Sequence, residues 1–345
     1  MSRVVVRWTA TRLLAVLTGV ALLALTLSGR GDLAAAAPSS HGPVPRISQF
    51  PTLAQVTSQI VAAESRTTPP ANARPSISTL AAGGDFGFQP AGHCVAPATN
   101  TARVNVAACT FGDRSAKETL VLTGDSRAQM WLDAFEKVAT GAHIKLVLLA
   151  KSGCPAPLAT YRINNDGTFS NSAWTACTAW HSFVIKTIAA IKPQVVVISS
   201  EESLALANPV HYALPVEEEQ DTQAFIKALP SQSKVVILGD FPEPGATNSP
   251  TLCLSKGPHS LLSCSFTPSK DVDLNNGAAQ SAATTTGAGF INQTPWLCGS
   301  TCPAIIDGII PYTIDGYHID NTYTLHLVGV LWSALEPYIT IGAAP

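Results

Sequence analysis

The sequence predicts an α/β protein built on a doubly wound parallel sheet, and three observations lead there. Apolar runs rich in Val, Ile and Leu recur at 118–125 (ETLVLTGD), 143–150 (HIKLVLLA), 193–200 (PQVVVISS) and 233–240 (SKVVILGD). They are continuous instead of alternating apolar with polar, the pattern of strands buried on both faces. Segments with helical spacing lie between them, and strands that alternate with helices form parallel sheets whose right-handed crossovers cover both faces.

The chain starts with MSRVVVRWTATR, which carries three arginines and no acid, then LLAVLTGVALLALTL, then SGRGDLAAAAP. That order is the charged, apolar and small-residue pattern of a secretory signal. The apolar run is short for a full membrane span. Two outcomes stay open for residues 1–36: cleavage near Ala36, or an uncleaved anchor lengthened by Val4–Val6 and Trp8. Both place the rest of the chain outside the cytoplasm.

Residues 37–75 read as a stalk rich in Pro, Ala, Ser and Thr. Within it FPTLAQVTSQIVAAES predicts one short amphipathic helix, which docks on the domain or lies free. TTPPANARP then breaks any helix. The domain proper is expected at 76–345, opening with Gly-rich turns over 76–115. Residues 127–139 have helical spacing with Met130, Ala134, Phe135 and Val138 on one side. Further helices are expected at 172–192 and 215–230, and a last one within 320–339.

A length of 345 residues suits one large α/β domain with appendages. Charged residues are 13% of the chain, about half the usual share. The net charge is −2; removal of residues 1–36 would change 21 basic and 23 acidic residues to 17 and 22, a net −5. With no long basic run, electrostatic capture of nucleic acid is excluded. All eight cysteines lie after residue 90. An even count behind an export signal reads as disulfides, with 105 pairings open. Zinc is the competing reading, and CGSTC at 298–302 is the only short ligand spacing.

In open α/β sheets the site lies beyond the carboxyl ends of the strands. Gly124-Asp125-Ser126, KSGCP at 151–155 and Gly239-Asp240-Phe241-Pro242 all fall on that edge, and DGYHID at 315–320 precedes the last helix. Ser126 is either a nucleophile on a strand-to-helix turn or, with Asp125, a helix cap. A serine nucleophile needs a base, and a histidine base needs a carboxylate to fix its tautomer. His318 and Asp315, three residues apart, supply both. The N–H groups of Ser126 and Gly153 are the expected oxyanion donors, since the turn presents free N–H groups and a glycine lets backbone approach a ligand. Asp125 and Asp240 read as turn residues and His326 as a satisfied helix histidine. Trp131, Trp174, Trp180 and Trp296 read as core or rim aromatics.

LVLTGDSRAQMW resembles block I of the SGNH hydrolase superfamily, and DGYHIDNTY its final Asp-x-x-His block. The order VLTGDSRAQMW, KSGCP, Cys177 with Trp180, PQVVVISS, LGDFPEP, WLCGSTCP and YTIDGYHIDNTY is similar to the extracytoplasmic SGNH domain of bacterial membrane acyltransferase-3 proteins. The cysteine pattern is similar to the actinobacterial version. The resemblance covers about residues 76–340. It implies a three-layer, flavodoxin-like sheet of the SGNH-hydrolase type. It also implies Ser126 as nucleophile, His318 as base, Asp315 as its partner, and disulfides Cys94–Cys109, Cys154–Cys177, Cys253–Cys264 and Cys298–Cys302. Two departures stand out. Arg127 replaces the usual histidine after the block I serine, a position that is not the base. ISSEES at 198–203 lacks the asparagine donor that superfamily members often place there, and no Asn follows until Asn208.

These readings lead to an extracytoplasmic serine esterase or O-acyltransferase acting on acyl, above all acetyl, esters of cell-envelope glycans. The alternative is a non-catalytic glycan-binding or scaffold module that keeps the fold. No cofactor or metal is expected, and the partner is a glycan or acyl-ester substrate. Transfer would need a separate membrane acyltransferase or a soluble ester as donor. Membrane contact is expected only through an uncleaved N-terminal segment.

Overall fold

The computed structural model describes residues 47–85, 94–99, 101, 103–162, 172–201, 205–206 and 211–339. The expected signal or anchor at 1–36 lies outside the described residues, as does Asn208. Among the described residues no helix is long and apolar enough to cross a membrane.

The elements run α1 (Leu53–Glu64), α2 (Ile77–Ala81), β1 (Val95–Ala96), β2 (Thr110–Gly112), β3 (Thr119–Gly124), α3 (Ser126–Met130) and α4 (Leu132–Gly141). Next come β4 (Lys145–Lys151), α5 (Thr175–Ile191), β5 (Val195–Ser199), β6 (Ala205–Leu206), β7 (His211–Tyr212) and α6 (Pro215–Ala228). The chain ends with β8 (Lys234–Leu238), α7 (Pro250–Ser255), α8 (Lys270–Thr286), β9 (Gly289–Ile291), α9 (Asn321–His326) and α10 (Val328–Leu335).

Five strands form the parallel heart of the sheet in the order β4-β3-β5-β8-β9. β1 pairs parallel with the end of β4, and β2 antiparallel with its start. The four apolar runs of the sequence are the four central strands, and β3 and β5 are buried along their whole length. The chain steps from β3 to β4 in one direction and then reverses to β5, β8 and β9. With right-handed crossovers that reversal puts α3–α4 on one face and α5, α6 and α8 on the other. This is the flavodoxin-like order, in which the crevice opens between the two strands where the direction reverses. Those strands are β3 and β5.

Besides the short elements α2, β1, β2, β6, β7 and α7, helix α8 and strand β9 have no counterpart in the sequence reading. Helix α8 buries its face through Ala278, Ala279, Ala282 and Ala283, so it shows no stripe of large apolar residues. β9 is three residues long, too short for a pattern. The last helix divides at Leu327 into α9 and α10.

The helix expected in the stalk forms and docks. Thr52 and Gln55 make a reciprocal capping box at its start, and Val56, Ile60 and Ala63 join the main core. Glu64 accepts from Thr301 N–H at 2.8 Å and Ser300 Oγ at 2.9 Å. Burial of that face puts α1 in the same core as the sheet.

All four implied disulfides are present, and no cysteine is free. Cys154–Cys177 ties the KSGCP turn to α5.

Candidate active site

The site begins where β3 stops. Gly124 has φ +147°, and a Cβ there would stand 1.8 Å from the Ser199 carbonyl of β5. Only glycine lets the two strands of the switch point close so tightly. Asp125 follows as the N-cap of α3 and is fully buried. One carboxylate oxygen accepts from Arg127 N–H at 2.8 Å and the other from Glu201 N–H at 2.9 Å. Asp125 thus laces the end of β3 to the chain leaving β5. Burial pushes its pKa up to about 7, the charge of Glu201 adds to the rise, and the two backbone donors and Arg127 oppose it. As expected, Asp125 is a turn residue.

Ser126 is the first residue of α3, so its N–H has no acceptor within the helix. Its Oγ lies 2.9 Å from His318 Nε2. His318 Nδ1 lies 2.8 Å from Asp315 Oδ2. With the ring proton on Nδ1, the imidazole donates to Asp315 and accepts from the serine hydroxyl. The structure therefore brings together three residues that the sequence separates by 192 positions.

The loop carrying the histidine is held by its own side chains and backbone. Asp315 Oδ1 accepts from Thr313 Oγ1 at 2.6 Å and Tyr317 N–H at 2.8 Å. Thr313 N–H closes the loop on the His318 carbonyl at 3.0 Å. Burial alone would raise Asp315; the hydrogen bond and charge of His318, with Thr313 and Tyr317, outweigh it and hold the carboxyl well below its ordinary value.

Gly153 takes the left-handed conformation at φ +65°, in a turn that follows β4. Cys154 N–H closes that turn on the Lys151 carbonyl at 3.1 Å. The buried His181 Nε2 lies 2.7 Å from the Pro155 carbonyl, which it bonds as a donor. The chain after β5 is used for bracing: Ser200 Oγ accepts from Ala156 N–H at 2.9 Å, beside the Glu201 bond to Asp125.

Arg127 is the residue that sequence reasoning undervalued. It is 2% exposed, among the largest fully buried side chains. Its Nη1 donates to the Tyr317 carbonyl, and its Nη2 pairs with Glu243 and lies 3.9 Å from Asp240 Oδ1. Its Cζ sits 4.4 Å from the centre of the Phe241 ring. The only sequence signal was its place, directly after the serine. A polar pocket of about 300 Å³ opens beside Tyr317, with Glu201, Asp240, Glu243, Asp271 and Asn275 in its walls.

The remaining residues keep to the core. Trp131 meets Trp296 edge to face at 5.8 Å, and Trp174 and Trp180 are buried. His326 bonds Gln59 of α1 at 2.9 Å. Asp240 accepts from Phe241 N–H at 2.9 Å. The one group of Cys and His side chains that could gather a metal, among the described residues, is Cys154, Cys177 and His181, and its sulfurs are joined as a disulfide.

A family model described as the SGNH domain fused to AT3 domains matches residues 93–332. The chain belongs to this family. No curated protein sequence matches this SGNH chain. Among solved structures it is similar to the periplasmic domain of a lipopolysaccharide acetyltransferase from Salmonella ser. Paratyphi A. The TM-score is 0.50 at 13% identity, over 71% of this chain and 90% of that one. At that identity the likeness is one of fold. A Bacteroides fragilis protein provisionally assigned as an acylhydrolase aligns with a TM-score of 0.39 at 13% identity, over 67% of this chain and 92% of that one.

Proposed function

We propose that this SGNH domain is a serine acyl-transfer enzyme that works outside the cytoplasm on acyl, above all acetyl, esters of envelope glycans. The observation that carries the reading is the unbroken hydrogen-bond chain Ser126–His318–Asp315, at 2.9 and 2.8 Å. Four disulfides support an oxidising compartment.

In this reading Ser126 Oγ attacks the acyl carbonyl while its proton passes to His318 Nε2. Asp315 supports the imidazolium through Nδ1–H. The carbonyl oxygen gathers negative charge beside the Ser126 and Gly153 N–H groups. The donor alcohol leaves with the proton from His318, and the acyl group stays on Ser126. Water or a sugar hydroxyl then gives its proton to His318 and takes the acyl group, and His318 returns that proton to the departing Ser126 Oγ. The polar pocket beside Tyr317 is where that acceptor would stand. Its carboxylates and amide suit hydroxyl donors, and four acids argue against an anionic sugar.

The decisive experiment is hydrolysis of 4-nitrophenyl acetate by wild type and Ser126→Ala, with and without glycan acceptors. Release that depends on Ser126 supports the reading, and acceleration by a glycan selects transfer over hydrolysis. Folded wild-type protein that neither turns over the ester nor labels with a fluorophosphonate would make it a scaffold.

A further inference from the structure

We infer that Arg127 is the positioning residue that seats the His318 loop on the Ser126 turn and, with the same side chain, sets the wall of the adjacent pocket. The inference rests on the acyl-transfer reading above.

The argument starts from burial. A guanidinium keeps its charge at any working pH, and taking that charge out of water is costly unless opposite charge and hydrogen bonds replace the water. Arg127 is 2% exposed, and its replacements come from two distant segments. Nη1 donates to the Tyr317 carbonyl, in the residue just before His318. Nη2 faces Glu243 and Asp240, in the loop after β8. The Phe241 ring covers the guanidinium face. A planar fork can serve such divergent partners at once; a lysine, with one point charge, cannot.

The segments it joins are the ones the site needs in register. The base loop holds its own shape through Thr313, Asp315 and the Tyr317 amide. Those bonds do not fix the loop relative to the serine. Other ties to α3 include the Ser126–His318 bond itself, Ile319 N–H donating to Met130 Sδ at 3.4 Å, and the burial of Ile319 in the same core as Met130. Arg127, the next residue after Ser126, is the strong link. Glu243 and Asp240 are pocket walls, so the side chain that aligns the base also orients the surface where an acceptor would stand.

The test compares Arg127→Met, Arg127→Lys and the double variant Arg127→Met/Glu243→Gln, which removes both charges together. Each is assayed for kcat and KM on 4-nitrophenyl acetate, for Tm, and for hydrogen exchange of residues 313–320 by mass spectrometry. Misplacement of a base by an ångström can cost about a hundredfold, so kcat in Arg127→Met should fall by about that factor while KM for the small ester holds. Arg127→Lys should keep about a tenth of wild-type kcat, since charge remains but the fork is lost. The double variant should recover Tm but not kcat, and its 313–320 peptides should still exchange faster than wild type. A double variant with wild-type Tm, kcat within threefold and unchanged exchange would overturn the inference and leave Arg127 a structural ion pair. Exchange reads loop seating without catalysis, so an inactive wild type would refute the acyl-transfer reading and leave the seating separately measured.

Discussion

Residues 124–127 and residues 313–320 meet at one hydrogen bond, yet each is held in place by different means. The serine turn is fixed by the sheet. Gly124 lets β3 and β5 close, and Asp125, fully buried, spends both oxygens on backbone N–H groups. The histidine loop is closed by backbone bonds, Thr313 N–H to the His318 carbonyl among them, and its polar groups are set by side chains. Asp315 has a side chain 44% exposed, and its oxygens accept from a threonine, an amide and the imidazole. Burial drives Asp125 up to about 7, whereas against its own burial Asp315 is held low by His318. Two aspartates near one serine thus do opposite work. The one aimed at backbone shapes the turn, and the one aimed at imidazole can support a charge that appears during reaction.

The largest expected effect erases that difference. Ser126→Ala and His318→Ala should each lower kcat at least about ten-thousand-fold, and the double variant should be little worse, because members of one catalytic unit are not additive. Steady-state kinetics on an aryl ester checks this; a His318→Ala enzyme with most of its activity would place the base elsewhere. The next effect restores the difference. Asp315→Asn should cost about a thousandfold in kcat, through the lost tautomer control, with little change in Tm. Asp125→Asn should do the reverse. Its amide must turn an N–H donor toward a backbone N–H in a buried site, which costs about 1–3 kcal/mol of stability, while kcat stays within tenfold. Asp125→Asn losing activity at unchanged stability would exchange the two roles.

The contrast also explains what the sequence disclosed. The four central strands were legible because burial on both faces writes a continuous apolar run. The meeting of Ser126, Asp315 and His318 was legible because those residue types stand in short local blocks, one at a strand end and one before the last helix. Helix α8 was not, since alanines bury a helix without marking a face. Nor was the role of Arg127, whose partners lie more than a hundred residues away and leave no mark beside it. The docking of α1 depended on which surface received Val56 and Ile60, and amphipathic spacing alone does not name that surface.

A smaller effect concerns the Gly153 turn, which belongs with the serine side in being fixed covalently and by backbone. Cys154–Cys177 closes a loop with a sequence separation of 23. Replacing both cysteines with serine should lower stability by about 3 kcal/mol on the loop-entropy account. Chemical denaturation measures it, and thiol titration of the denatured, unreduced wild type should find no free thiol. A loss well under 1 kcal/mol would mean that Pro155 and His181 hold the turn without the bridge.

The last effect, the smallest per pH unit, tests whether burial or neighbourhood divides the aspartates. Asp320 ends the histidine loop, yet it is fully buried like Asp125 and caps α9 by accepting from Tyr323 N–H at 2.9 Å. Burial, and after it the charge of Asp85, pushes its pKa up to about 9 from an ordinary 3.8. Between those values the folded protein holds a proton that the unfolded chain has released. Stability therefore falls as pH rises through that window, by at most about 1.4 kcal/mol per pH unit, and the fall ends near the upper value. Asp125 has the same sign, but its window closes near 7. Asn at 320 cannot ionise and caps a helix as well as Asp does. Asp320→Asn should match wild type near pH 4 and gain on it steadily up to pH 9. Groups remote from residue 320 are shared and cancel in the difference between the two denaturation curves; Asp85 is coupled to Asp320, so both proteins are compared on an Asp85→Asn background. A gap that still widens between pH 7 and 9 assigns the slope to Asp320 and sorts the aspartates by burial. Parallel curves over that interval would mean that Asp320 is ionised in the folded protein, and that the loop it belongs to, not its depth, decides its charge.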